Sequence, residues 1–228
     1  MARLQVWEDR WTDGRIDFHQ TEVNESLLQF KDKLLIKDKS RVLVPLCGKT
    51  VDLKWFADQG HEVVGVEGID QPVTEFFQEQ KLSYTKSDIH GVEGGKLYES
   101  EDGRIKIFVS DLFNLTRDIL GQFDAVWDRG SVVAVDECDR KEYAKVISSL
   151  LLPGARMLLV TVNCDPAEKV KDHKGAPHAV TTEGLRRLFG EKFTIELLSD
   201  VENLEKNPRF RLRGLTWMRE LVHVMKLK

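Results

Sequence analysis

Residues 41–50 read Arg41-Val42-Leu43-Val44-Pro45-Leu46-Cys47-Gly48-Lys49-Thr50, and residues 61–68 read His61-Glu62-Val63-Val64-Gly65-Val66-Glu67-Gly68. Each stretch starts as a short β-branched run and breaks off at a turn. Between them, Val51 to Gln59 carries Leu53, Phe56 and Ala57 at i, i+3 and i+4, the spacing of one helix face. A strand, a short helix and a second strand in so few residues spell a parallel strand–helix–strand unit. Both runs are apolar without alternation, as expected of strands covered on both faces.

The same alternation continues outward. Pro72 to Gln80 reads as a helix with Pro72 in its first turn. Lys96–Glu99 and Lys106–Val109 read as strands of a hairpin turning at Glu101-Asp102-Gly103. Phe123–Trp127 is a further strand. Asp139 to Leu151 is a helix stopped by Pro153-Gly154, and Ala155–Val162 is a strongly apolar central strand. A helix from Thr181 to Phe189 precedes two last strands, Phe193–Leu198 and Leu215–Met225. The pattern predicts a doubly wound α/β fold, a mostly parallel sheet with helices on both faces in three layers. It reads as one domain over 1–228, with 1–34 forming an N-terminal lid and helix. A chain of 228 residues buries enough surface to need neither metal nor disulfide.

Composition narrows the function. Apolar residues are 41% and charged residues 32%, ordinary for a soluble globular protein. The net charge of -4 argues against a nucleic-acid partner, which favours a basic face. The basic stretches Lys169 to Lys174 and Arg209 to Arg213 are short and mixed with other residues. Cys47, Cys138 and Cys164 are odd in number and lack zinc or redox spacing, which predicts a reducing, cytoplasmic setting. No apolar run is long enough for a membrane span, and Met1 to Trp7 lacks the apolar region of a signal peptide.

In open α/β sheets ligands bind beyond the carboxyl ends of the strands. At the first such end, Gly48 lets backbone approach a ligand, although a plain turn glycine reads the same way. Neither GxGxxG nor GxxxxGK[ST] is present, which disfavours a dinucleotide or a nucleoside triphosphate. At the second, Glu67 can accept from ribose hydroxyls, and its offset of about 20 residues from the glycine turn is that of a nucleoside-binding sheet. At the third, Ser110-Asp111 can address adenine, or Asp111 can equally cap a helix. At the fourth stands Trp127-Asp128-Arg129-Gly130, whose plainer reading is an Asp128–Arg129 surface pair of little energetic worth. Trp7 and Trp11, four apart on one predicted helix face, precede Phe18 and His19. Such a stripe is either packing or a lid over the site.

Trp7 to Gln20, Pro45-Leu46-Cys47-Gly48-Lys49, Lys54-Trp55-Phe56-Ala57, Val63 to Glu67, Trp127 to Gly130 and Arg187-Leu188-Phe189-Gly190, in this order, resemble the thiopurine S-methyltransferase family along nearly the whole chain. The resemblance implies a class I methyltransferase with a seven-stranded sheet, S-adenosylmethionine as donor, S-adenosylhomocysteine as product, no metal, and small aromatic or heterocyclic thiols as acceptors. It implies that Trp7, Trp11 and Phe18 close over the cofactor, that Leu46 and Gly48 line its methionine side, that Glu67 holds the ribose and that Ser110 and Asp111 flank the adenine. Arg129 occupies the place of the family's active-site arginine, where it meets both cofactor and acceptor. Phe18, His178, Arg209 and Arg211 are the expected acceptor-side residues. Gly175-Ala176-Pro177-His178 stands where mammalian members have Gly-Pro-Pro-Phe, a departure that bears on the acceptor rather than the cofactor.

An in-line displacement at a sulfonium needs alignment above all. Arg129 is expected to favour an anionic thiolate. His19 and His178 are candidate bases for a less acidic acceptor, though packed or solvated roles are commoner for single histidines. Cys47 reads as a small buried side chain, since no covalent enzyme intermediate is needed. The protein is expected to act as a monomer on a small molecule. The alternatives are a methyltransferase for halide, thiocyanate or a selenium compound, a non-catalytic S-adenosylmethionine-binding protein, and an NAD-dependent oxidoreductase, which the missing GxGxxG disfavours.

Overall fold

Why the strand ends meet is already visible in how the valine-rich runs pair. The computed structural model describes residues 2–165, 175–212 and 214–228, without the side chains of Ala2, Arg3 and Arg209. The basic stretch from Lys169 to Lys174, together with Arg213, lies outside the described residues. The chain divides into two compact units, residues 1–127 and 128–228.

The first unit holds α1 (Ala2–Thr12), α2 (Glu25–Leu34), β1 (Arg41–Pro45), α3 (Asp52–Asp58), β2 (Glu62–Glu67), α4 (Asp70–Glu79), β3 (Tyr84–Asp88), β4 (Lys96–Ser100), β5 (Ile105–Val109), α5 (Arg117–Leu120) and nearly all of β6 (Phe123–Arg129). Its strands lie in the order β3-β4-β5-β2-β1-β6. β5, β2, β1 and β6 are parallel, while β3, β4 and β5 pair antiparallel. Val42, Leu43, Val63, Val64 and Val66 are fully buried, as continuous apolar runs require. Leu53 and Phe56 are buried on the inner face of α3. The register sets Pro45 beside Val66 and Glu67 beside Val109. The turns after β1, β2 and β5 therefore leave the sheet along one edge.

The second unit holds α6 (Arg140–Ser149), β7 (Leu151–Cys164), α7 (Thr182–Phe189), β8 (Phe193–Glu202), α8 (Pro208–Leu212) and β9 (Met218–Leu227). β9 pairs antiparallel with both β7 and β8. No helix among the described residues is long and apolar enough to cross a membrane.

The α/β expectation holds, with parallel strands at its centre. The strand count differs: nine strands are described rather than seven. β3 escapes sequence reading because all five of its residues are exposed and polar or aromatic, so no burial pattern marks it. It is held by pairing with β4 and by Lys86–Asp70 and Lys96–Asp88 ion pairs. β7 begins at Leu151, ahead of the predicted Pro153-Gly154 stop. Pro153 lies ahead of the segment that pairs with β9, which starts at Arg156, so that ladder does not need its missing N–H.

Within the second unit, β9 carries one fully buried histidine. His223 lies opposite Leu159 of β7, and its Nε2 is 2.8 Å from the Thr182 hydroxyl at the start of α7. Its Nδ1 meets no hydrogen-bond partner among the described residues. Burial lowers its pKa to about 4, helped by the nearby Arg186 charge and opposed by Asp200. The unfolded chain takes up this proton first as pH falls, so the stabilisation from a neutral His223 is complete above about 6.5 and is lost on acidification towards 4. Chemical denaturation between pH 7 and 4 should show wild type losing roughly 2–3 kcal/mol more than His223→Gln across that window. Equal losses would show that the histidine is not held neutral.

Candidate active site

Glu67 ends β2, and only 7% of its surface is exposed. Its Oε2 accepts from the Gly48 N–H at 2.8 Å. Its Oε1 accepts from the N–H groups of Gly68 at 2.8 Å and Ile69 at 3.1 Å. One carboxylate thus ties the turn after β1 to the turn after β2. Burial raises the Glu67 pKa, and the three amide donors oppose that shift by favouring the anion.

The turn that Glu67 holds has a special backbone. Leu46 has φ +45 and Gly48 has φ +52, so two left-handed residues fall within three positions. A non-glycine in this region is uncommon and costs on the order of 1–3 kcal/mol when it persists. Between them, the Cys47 N–H donates to the Val66 carbonyl at 2.9 Å, and the Cys47 thiol fills the space left by Gly65, where a Cβ would come within 2.8 Å of its sulfur. Burial, and then the Glu67 charge, push the Cys47 thiol pKa well up, which suits a packed side chain rather than a nucleophile.

α1 lies directly on these turns. Trp11 is buried, and a Cβ at Gly48 would meet its ring at 3.1 Å. A Cβ at Gly68 would come 2.5 Å from Leu4. Phe18 meets both tryptophans edge-to-face, with ring centroids 5.8 Å from Trp7 and 5.6 Å from Trp11. Arg10 lies over the Trp7 ring at 4.7 Å. The aromatic segment is therefore both a packed cluster and a cover over the Gly48 turn.

At the third strand end, the Ser110 N–H donates to the Glu67 carbonyl at 2.9 Å, so this turn also joins the same edge. Asp111 caps a short 3-10 turn, accepting from the Phe113 N–H at 3.0 Å. Sequence reading missed the part played by Lys49. It is buried and paired with Glu75 at 2.8 Å and Glu79 at 2.7 Å, both on α4. Burial pulls its pKa down, but the two carboxylates outweigh this and raise it. Two glutamates four apart on one helix face were the available signal.

In the second unit, Asp128 is fully buried rather than part of a surface pair. It accepts from the Tyr143 hydroxyl at 2.6 Å and the Val132 N–H at 3.1 Å. Burial raises its pKa despite these donors. Arg129 follows it as a half-buried residue before Gly130, whose φ is +87. His178 donates its backbone N–H to the Val133 carbonyl at 2.7 Å and sets Nε2 3.0 Å from Asp136. Arg140 bonds the carbonyls of Val135 and Ala179, both at 3.2 Å, and so holds the same segment. Arg211 is exposed and pairs with Glu205. The side chain of Arg209 lies outside the described residues.

Gly48→Ala places a methyl group against Trp11 on a left-handed backbone. A cost of about 1–2 kcal/mol is expected, or a melting temperature lower by roughly 2–8 °C for a chain of this size. A calorimetric scan that finds the variant as stable as wild type would contradict the close approach of α1 to this turn.

The sequence pattern of the family "Thiopurine S-methyltransferase" matches residues 2–228. A thiopurine S-methyltransferase of Bos taurus is 41% identical over 89% of this chain and 82% of its own length. A probable thiopurine S-methyltransferase of Danio rerio is 38% identical over 99% of this chain and 95% of its own. Among solved structures, the 1,6-didemethyltoxoflavin-N1-methyltransferase of Burkholderia thailandensis, bound to 1,6-didemethyltoxoflavin and S-adenosylhomocysteine, superposes with a TM-score of 0.63 at 18% identity. It covers all of this chain and 88% of that one, a likeness of fold. With a match from end to end and relatives near 40% identity, the chain belongs to the thiopurine S-methyltransferase family.

Proposed function

We propose that this protein transfers the methyl group of S-adenosylmethionine to the sulfur of a small aromatic or heterocyclic thiol. The observation that carries this reading is the buried Glu67 carboxylate, fastened between two turns at one edge of a parallel sheet. The residues fit a nucleoside cofactor. Gly48 offers bare backbone, and Leu46 takes the left-handed conformation that shapes the turn. Glu67 spends three of roughly four acceptor positions on amides and keeps about one for a ribose hydroxyl. Ser110 and Asp111 stand at the next strand end for the adenine, with Asp111 also serving as a cap. Trp7, Trp11 and Phe18 form an apolar cover suited to excluding water.

When bound, S-adenosylmethionine supplies an electrophilic methyl group on a positively charged sulfur. The chain's own contribution is alignment, which can lower such a barrier by roughly 7–11 kcal/mol. Arg129 holds a fixed positive charge that favours the anionic form of the acceptor. Phe18 offers an apolar face to an aromatic acceptor. His178 is occupied by Asp136 through Nε2, so we assign it to holding the acceptor-side segment together rather than to moving a proton. Arg211 would have to leave Glu205 to meet an acceptor. The free thiols of Cys47, Cys138 and Cys164 suit a cytoplasmic setting.

Isothermal calorimetry with S-adenosylhomocysteine should show saturable binding by wild type and at least tenfold weaker binding by Glu67→Ala. Methyl transfer should be detected from S-adenosylmethionine to a thiopurine and be much slower to iodide or thiocyanate. No binding by folded wild type would reject the reading. Transfer to halide in preference to thiol would move the assignment to that acceptor class.

A further inference from the structure

Asp52 is a buried acid that the proposed chemistry does not use. It opens α3 and is 2% exposed. Its Oδ2 accepts from the Trp127 indole N–H at 2.8 Å, and its Oδ1 accepts from the Asn24 backbone N–H at 3.0 Å. Trp127 is itself fully buried and lies on β6, two residues before Arg129. Asn24 is also buried, caps α2 through Ser26 and Leu27, and donates its side-chain amide to Gln20 at 3.0 Å. Residues 20–24 are the point at which the aromatic N-terminal segment re-enters the fold. Asp52 itself directly follows the turn on which Trp11 rests.

Both oxygens of this carboxylate are met by neutral N–H donors. An apolar residue of similar size would fill the space but leave both buried N–H donors without an acceptor. What the carboxylate adds is direction. It sets the spacing of three elements at once: the turn after β1, the end of the lid and the end of β6.

We infer that Asp52 is a positioning residue for methyl transfer, seating the aromatic lid over the Gly48 turn by holding Asn24 and Trp127 to one carboxylate. The inference rests on the functional reading above. Asp52→Asn puts an amide NH2 against one of the two N–H donors and leaves that buried hydrogen bond unmade. A lid that seats badly weakens capture of the ligand but leaves the aligned state, once filled, largely intact.

The test is S-adenosylhomocysteine binding together with steady-state kinetics. For Asp52→Asn, Kd for S-adenosylhomocysteine and KM for S-adenosylmethionine should rise about tenfold, with kcat within about threefold of wild type. A merely structural defect would lower the melting temperature and the active fraction, and hence apparent kcat, at unchanged Kd. Trp127→Phe removes the indole donor, so Asp52→Asn/Trp127→Phe should bind better than Asp52→Asn alone. Wild-type affinity in Asp52→Asn, additive losses in the double variant, or a fall in kcat alone would overturn the inference. Should Asp52→Asn fail to fold, Trp127→Phe carries the test, with a several-fold rise in Kd expected and no change overturning it. Absence of binding by wild type would instead overturn the functional reading itself.

Discussion

Three backbone amides converge on the Glu67 carboxylate, and the arrangement of the site follows from that convergence. A buried carboxylate without donors would take up a proton or stay in water. Here the donors come from Gly48, Gly68 and Ile69, so satisfying the charge requires the turns after β1 and β2 to lie side by side. The parallel register supplies that proximity, because Pro45 is level with Val66. The amides in turn acquire a charged acceptor, which makes the bonds stronger than neutral ones. Sheet register, turn shape and a candidate ribose acceptor are thus one connected arrangement.

That arrangement leaves strain that only packing can hold. Leu46 is kept at φ +45, where a branched side chain is disfavoured, and the turn returns to the same region at Gly48. Trp11 closes over the second of these positions, and Lys49 is anchored to α4 by Glu75 and Glu79. The turn is consequently held by an aromatic ring, by Glu67 and by an ion-pair cluster. Strain at a turn persists only where the surrounding structure over-determines it, as these three contacts do here.

How much of this was readable depends on how local the cause was. The valine runs, the Gly48–Glu67 spacing and the i, i+4 tryptophans are short-range patterns, and the fold confirms each as strand, adjoining turns and helix face. Asp111 was open between two roles, and the structure shows the capping one. Asp52 was not readable, because its partners lie 28 and 75 positions away and its burial comes from packing that no window contains. Asp128 looked like half of a surface pair because its neighbour is an arginine, whereas Tyr143, one helix later, is the donor that makes burial tolerable. β3 was invisible for the opposite reason: it is an edge strand with nothing buried.

The central claim is that Glu67 organises the cofactor turns before any ligand binds. Amide hydrogen exchange of the ligand-free protein, resolved at Gly48, Gly68 and Ile69, tests this directly. Pre-organisation predicts that all three amides are strongly protected in the free protein and change little when S-adenosylhomocysteine is added. Rapid exchange in the free protein, with protection appearing only in the complex, would contradict it and would mean that the ligand builds the site.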